Sequence, residues 1–377
     1  MLTRRVILYR LYLVLNVAVI WVLFSLLFLY NIVEVEKSVL ATRNLSFFSL
    51  AFAMLGIIIA GAEAFFLKNM FRKLPIWLST ILRMTITFIL FLVVSVIVVF
   101  AYWFFRHDGG ESFIQFEKHF VQDVLLTPSF LMLMVDLGFL AFLSILVLEI
   151  SDKYGPGGLR NLIRGRYNHP RKENRIFSFL DMNNSTVIAE HIGHEKYFNM
   201  LKEFFSDITE PILNNGGHIY QYVGDEIVLS WQNDQKGKQN CLNFIKEAYM
   251  VFKKKAEKYN DEFGFAPSFK AGIHAGDVTA GYIGIIKKDL VFSGDTLNTT
   301  ARIRSKCHDL GHSFVASGDF LADYRSTGRF SFEEIGAIEL KGKQEKVKLY
   351  AILFPELVEV VHKHSKPVPA LKLISSL

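Results

Sequence analysis

Two regimes of apolar patterning divide the chain. Over the first 150 residues hydrophobic positions run almost unbroken, in four stretches: Val6 to Tyr30, Leu45 to Leu67, Ile76 to Phe105 and Phe130 to Ile150. Each is apolar all round and, at about 1.5 Å per residue, long enough to cross a hydrocarbon layer of about 30 Å. They predict an all-α transmembrane bundle of four helices. From about residue 174 the pattern changes to short β-rich runs interleaved with longer helical ones. Strands are expected at 175 to 181, on either side of Gly224-Asp225, and at 268 to 274, 313 to 317 and 347 to 353. Helices are expected from Ser185 to Asn214, Lys238 to Phe263 and Thr296 to Leu310.

That order begins with the βαββαβ arrangement of a ferredoxin-like α+β domain. Between the two regimes lies Asp152 to Gly158, with Gly155, Pro156, Gly157 and Gly158, followed by the basic His169-Pro170-Arg171-Lys172. Helices do not continue through such a passage. The expected organisation is 1–150 transmembrane, 151–173 hinge, 174–355 soluble domain and 356–377 tail.

Composition supports the division. Of 377 residues, 51% are hydrophobic, and the mean hydropathy is +0.28, too apolar for a water-soluble chain of this size. Basic residues fix the orientation: Arg4, Arg5 and Arg10 before the first span, Lys68, Arg72 and Lys73 after the second, Lys153, Arg160, Arg164 and Arg166 after the fourth. Those flanks are expected to be cytoplasmic, which places both termini and the soluble domain on the cytoplasmic side of a cell membrane. The formal net charge of +6 sits largely beside the spans and in the tail, where it suits anionic lipid, and nothing reads as a DNA or RNA module. With only Cys241 and Cys307, no disulfide framework is suggested. Glu63, Arg83 and Asp136 fall within or near apolar spans, where ionisable residues mark ligand or ion sites unless they lie at the interface.

Four short blocks carry the candidate chemistry: FSFLDMNNST around Asp181, QYVGDEIVLSW around Asp225, KAGIHAGDVTAG at 270 to 281, and SGDTLNTTARI at 293 to 303. Asp181 ends an apolar strand and precedes a polar turn, so its carboxylate belongs on the rim of a sheet. Asp225 follows Gly224 in a tight hairpin. In a ferredoxin-like sheet the first strand neighbours this hairpin, and two carboxylates at one point suit Mg²⁺, which takes one or two of them together with substrate phosphates. Asn298 and Arg302, four apart, share one helix face. A lone Asp in a turn is ordinarily just a turn residue; the case rests on the four blocks in this order.

In that order the blocks resemble the catalytic domain of the class III nucleotide cyclases, the adenylate and guanylate cyclases. The resemblance covers the second half of the chain only. It implies attack of a ribose 3′-hydroxyl on the α-phosphate of the same nucleoside triphosphate, with release of pyrophosphate, in a homodimer with two shared sites. It implies two Mg²⁺ or Mn²⁺ ions per site on Asp181, Asp225 and the backbone carbonyl of Met182. Asn298 and Arg302 would come from the partner subunit to stabilise the transition state, and Lys341, with Lys287 beside it, would hold the β- and γ-phosphates. At the base-reading positions the chain departs from the family, with Gln221 and Val291 where adenylate cyclases have lysine and aspartate or threonine. ATP is the expected substrate, leaving open GTP, a pyrimidine triphosphate, or a sensor that binds nucleotide without turning it over. The hairpin is also akin to that of diguanylate cyclases, but that family does not account for the GIHAG strand or for Asn298 and Arg302. His191-Ile192-Gly193-His194 spells a synthetase motif that lacks its companions and is taken as a helix surface.

Overall fold

The computed structural model describes residues 4–35, 42–71, 74–106, 128–155, 158–325, 328–340 and 345–356, and the chain divides into two compact units, Met1–Leu159 and Arg160–Leu377.

The first unit is helical: α1 (Arg4–Val35), α2 (Thr42–Ala62), α3 (Ile76–Arg106) and α4 (Pro128–Tyr154). Three of these, α1, α3 and α4, contain a stretch long and apolar enough to cross a membrane. The apolar part of the second, Phe52–Leu67, is shorter, so three spans rather than four satisfy length and hydropathy among the described residues. α2 runs on through a π-helical turn at Glu63–Leu67 and ends at Lys68–Met70. Trp21 is fully buried and donates to Ser144 Oγ at 2.8 Å, tying α1 to α4. Glu63 and Arg83 pair with each other. The Arg83 guanidinium, 4% exposed, lies 2.9 Å from Glu63 and 2.8 Å from Glu149, so α2, α3 and α4 share one ion network. Lys68 extends it to Glu149 and Asp152. Asp136 is half-buried on α4.

After the short α5 (Gly158–Ile163), the second unit is built on one eight-stranded sheet. Its elements are β1 (Arg171–Met182), α6 (Ser185–Ile192), α7 (His194–Asp207), α8 (Thr209–Asn214), β2 (His218–Val223), β3 (Glu226–Gln232), α9 (Gln235–Phe263), β4 (Phe269–Ile283), β5 (Asp289–Ser293), α10 (Asp295–Lys306), β6 (Phe314–Ser317), α11 (Gly318–Leu321), β7 (Ser331–Ile338) and β8 (Val347–Leu353). The strands lie in the order β2-β3-β1-β4-β6-β8-β7, with β5 paired to β4. The first four of that row are the expected ferredoxin-like sheet.

Several boundaries differ from expectation. β1 begins earlier and β4 runs far longer. The single helix expected over 185–214 is three, broken where Gly193 adopts φ 83°, ψ 152° and again at Ile208. Gly193 therefore separates the histidines of the HIGH sequence onto two helices, and His191 meets the Phe265 ring edge-on at 5.3 Å. α9 starts where Asp234 caps it, accepting from the Gly237 amide at 2.6 Å. The tail expected beyond residue 356 lies outside the described residues.

Strand alternation sorts side chains between the two faces. Ile176, Leu180, Ile227, Leu229 and Trp231 face a core closed by Met200, Phe204, Phe244 and Phe252 of α7 and α9. Phe177, Phe179 and Val228 face the opposite way, packing with Val278, Ala280 and Phe292. Over that second side α10 lies close against β4. A Cβ built on Gly272 would stand 2.3 Å from the Arg304 backbone nitrogen, and one on Gly276 2.7 Å from Thr296 Oγ1, so two glycines of the GIHAG strand set how near the helix comes.

Candidate active site

The register of the sheet makes the site. Along β1, Phe177, Phe179 and Asp181 point to the same side. Asp181 pairs directly with Glu226 on β3 and with Lys270 on β4. Three charged side chains thus stand in a row across three strands, at the strand end where the β2–β3 turn, with Gly224 at φ 62°, delivers Asp225 beside them. α10 adds a fourth charge from above. Arg304 Nη1 donates to Asp181 Oδ2 at 3.1 Å, and Nη2 lies 2.6 Å from Glu226 Oε2. Lys270 Nζ also reaches Asp181 Oδ2, at 3.1 Å. Both cations act on Oδ2. No ion pair or hydrogen bond among the described residues takes Oδ1.

Burial dominates the electrostatics. It pushes the Asp181 carboxyl above the usual carboxylate range; Arg304 and Lys270 pull it back, and the neighbouring Asp225 charge pushes it further up. Glu226 is raised in the same way, by burial first, with Arg304 opposing and Asp181 and Asp225 adding. Tyr197 on α7 is raised by burial and by Asp225, which places its ring near the same carboxylates. Three acids facing two bases leave an excess of one negative charge. Such a cluster attracts a further cation, and its donors are hard oxygens of the kind Mg²⁺ and Mn²⁺ accept.

α10 presents two flanks. Thr296, Thr299, Thr300 and Ile303 are buried on the face toward the sheet. Arg304 leaves one flank for Asp181 and Glu226, while Asn298 and Arg302 leave the other, Asn298 exposed and Arg302 half-buried. Arg302 Nη1 is buried without a hydrogen-bond partner among the described residues. A buried guanidinium nitrogen with no acceptor is costly unless a ligand or another chain supplies one.

Gln221 and Val291 lie on β2 and β5, each next to a residue that joins the two strands. Gln221 is exposed on β2, just past a bulge, and Val291 is half-buried on β5, paired with Gly281. Between their strands the Phe292 amide donates to Tyr220 Oη at 3.3 Å, and the two rings meet at 5.1 Å. Lys287 stands apart, its side chain 83% exposed and paired with Asp289 at 3.0 Å. Lys341 lies outside the described residues. His274, buried in β4, has its Nδ1 2.7 Å from Ser317 Oγ. Sequence reasoning missed Arg304, Lys270 and Glu226 altogether.

A rim of carboxylates on a ferredoxin-like sheet, with an amide and a guanidinium on a facing helix, is the arrangement of a class III cyclase. Residues 168–353 match the family described as the adenylate and guanylate cyclase catalytic domain, and this part of the chain is such a domain. Adenylate cyclase 2 of Rhizobium meliloti (strain 1021) is 31% identical over 209 residues, 55% of this chain and 58% of the relative. Adenylate cyclase 1 of the same organism is 26% identical over 181 residues, 46% of this chain and 27% of the relative. The chain thus spans little more than half of one relative and about a quarter of the other. Among solved structures, that of a bacterial light-regulated adenylyl cyclase superposes with a TM-score of 0.52 at 17% identity, over 63% of this chain and 72% of the other, a likeness of fold.

Proposed function

We propose that this protein is a membrane-anchored adenylate cyclase that converts ATP to 3′,5′-cyclic AMP and pyrophosphate in a homodimer. The convergence of Asp181 and Asp225 at one sheet edge, with Oδ1 of Asp181 uncommitted, is the observation that carries this reading. Asp181, Asp225 and the Met182 carbonyl fit two Mg²⁺ or Mn²⁺ ions, because the set is all oxygen and carries more negative charge than its own lysine and arginine cancel. Bound there, the metals supply Lewis-acid stabilisation of the ribose 3′-hydroxyl and the triphosphate.

The protein's own groups do the rest. Arg302 meets the charge that develops on the α-phosphate, its unpartnered Nη1 finding an acceptor there, and Asn298 orients the ribose. Because these two leave the flank of α10 turned away from the carboxylates of their own chain, each site takes Asp181 and Asp225 from one subunit and Asn298 and Arg302 from the other. Gln221 reads the base edge through an amide that both donates and accepts, while Val291 packs against the ring. Lys341 holds the β- and γ-phosphates. Adenine is favoured by the relatives, which are adenylate cyclases.

Residues 1–150 are the anchor. Four spans, both termini and the catalytic domain on the cytoplasmic side, is the topology that the basic flanks support.

Mixing two inactive variants tests the shared site. Asp181→Asn and Arg302→Ala chains, each inert alone, form heterodimers in which one of the two sites is whole. Random pairing in a twofold dimer then restores about a quarter of wild-type turnover. No recovery, with heterodimers demonstrated, would refute the shared site. Turnover assayed with ATP, GTP, CTP and UTP by mass spectrometry is expected to give cyclic AMP, and a different cyclic nucleotide would overturn the base assignment alone.

A further inference from the structure

We infer that Arg304 is a resident counter-cation of the carboxylate cluster: a positioning residue that keeps the site's affinity for a free divalent metal low, so that metal is held firmly only together with the nucleotide. The inference rests on the reading of Asp181 and Asp225 as metal ligands.

The geometry is specific. The Arg304 fork spans two acids on neighbouring strands, Asp181 Oδ2 at 3.1 Å and Glu226 Oε2 at 2.6 Å. Arg304 Nε is buried with no partner, and Glu226 Oε2 makes no well-directed hydrogen bond despite its short distance. The guanidinium is therefore held by charge more than by ideal hydrogen bonding. It is also held from behind, because the Arg304 backbone nitrogen sits over Gly272 with no space for a Cβ between them. A helix pressed that close to the strand gives its arginine little freedom to swing out.

Two consequences follow. First, Arg304 and Lys270 both grip Oδ2 and so turn Oδ1 of Asp181 away from themselves. Second, they set the charge of the carboxylate cluster. With Asp181, Asp225 and Glu226 against Lys270 and Arg304, one net negative charge faces an arriving dication. Without Arg304 there would be two, and Glu226, now unpaired, would be free to act as a third carboxylate ligand. A positive charge a few ångströms from a metal position in a half-buried site opposes the metal strongly, whereas a triphosphate brings its own negative charge and offsets that opposition. Arg304 thereby couples metal occupancy to nucleotide occupancy without touching the nucleotide.

The test measures Mn²⁺ binding to the full chain in detergent or nanodiscs, following the free-ion signal by electron paramagnetic resonance in the absence of nucleotide. Arg304→Gln keeps a donor for Asp181 and removes the charge. It is expected to bind Mn²⁺ about tenfold more tightly than wild type, a factor worth about 1.4 kcal/mol. Arg304→Lys keeps the charge and should bind Mn²⁺ within about twofold of wild type. Unchanged or weaker Mn²⁺ binding in Arg304→Gln overturns the inference. Asp181→Asn separates this failure from that of the underlying reading: if it binds Mn²⁺ as wild type does, Asp181 is not a ligand and the metal site itself is misplaced. Should Arg304→Gln fold poorly, Glu226→Gln serves instead. It frees the guanidinium to act wholly on Asp181 and should weaken Mn²⁺ binding, and unchanged or tighter binding in that variant overturns the inference equally.

Discussion

Gly272→Ala is the substitution that best tests how the site is built. Gly272 has an ordinary strand conformation, so alanine adds no backbone strain, and its only effect is the methyl group. That methyl would lie 2.3 Å from the Arg304 nitrogen and 2.7 Å from its Cα, where contact begins to be comfortable at 3.4 Å. The obstructing atoms are backbone, which cannot rotate aside, so α10 must lift by roughly 1 Å. Overpacking of this kind costs about 1–3 kcal/mol, and in a domain of this size it lowers Tm by roughly 3–10 °C. The larger effect is on turnover. A lift of about 1 Å moves Asn298 and Arg302 together, and a misplacement of that size costs on the order of 100-fold. Gly281→Ala is the control, since its methyl meets Pro170 at 3.5 Å, an ordinary contact. Both variants would be compared with wild type by thermal melting and by cyclic nucleotide production. A Gly272→Ala enzyme with wild-type Tm and turnover would refute the idea that this glycine sets the height of the helix.

Three further outcomes are expected. Asp225→Asn, which removes one of the two proposed metal-holding carboxylates, should abolish turnover while leaving Tm within a few degrees, because Asp225 is half-buried in a turn and bears no packing; retained activity would remove it from the site. In the helical unit, Arg83→Met strands Glu63, fully buried, without its counter-charge, and should destabilise that unit by about 3–5 kcal/mol; Glu63→Gln added to it should recover much of the loss, and a silent single variant would contradict the ion network. His218 on β2 is held below the ordinary imidazole pKa of 6.5 by burial and by Arg175, so the folded state resists the proton that the unfolded chain accepts. Its stabilising contribution is therefore complete above 6.5 and lost as pH falls from 6.5 through the depressed folded value. His218→Gln should flatten the acid side of a Tm–pH curve, and an unaltered curve would contradict this.

The order of the ferredoxin-like core was legible because its strands and helices differ in period, and the two aspartates were legible because a strand end and a glycine hairpin place them with little freedom. What escaped has local causes. β4 was expected to stop near 274, short of Gly276 and Gly281. Here they are interior strand residues, and the first marks a close helix approach. Gly193 reads as tolerable inside a helix, yet its φ of 83° breaks one. β5 is only five residues long and β7 is interrupted by Glu333, Glu334 and Gly336, so neither signals a strand strongly, and each has one partner strand. Lys287, singled out for its charge, sits on a fully exposed turn where charge alone says nothing about position.

Arg304 was the residue most worth finding, and its signal was present but needed register. An arginine two positions after Arg302 is, by helical rotation, on nearly the opposite side of α10. Knowing that Asp181 stands opposite both Glu226 and Lys270 leaves an acid too many in a buried row, and the one cation able to descend on that row from the packed helix is Arg304. In the proposed shared site, the same twist that turns Asn298 and Arg302 toward a partner subunit turns Arg304 to the carboxylates of its own chain. On that proposal a single helix, its approach to β4 limited by Gly272, sets the charge of one site and completes another, and a change in its tilt would alter both at once.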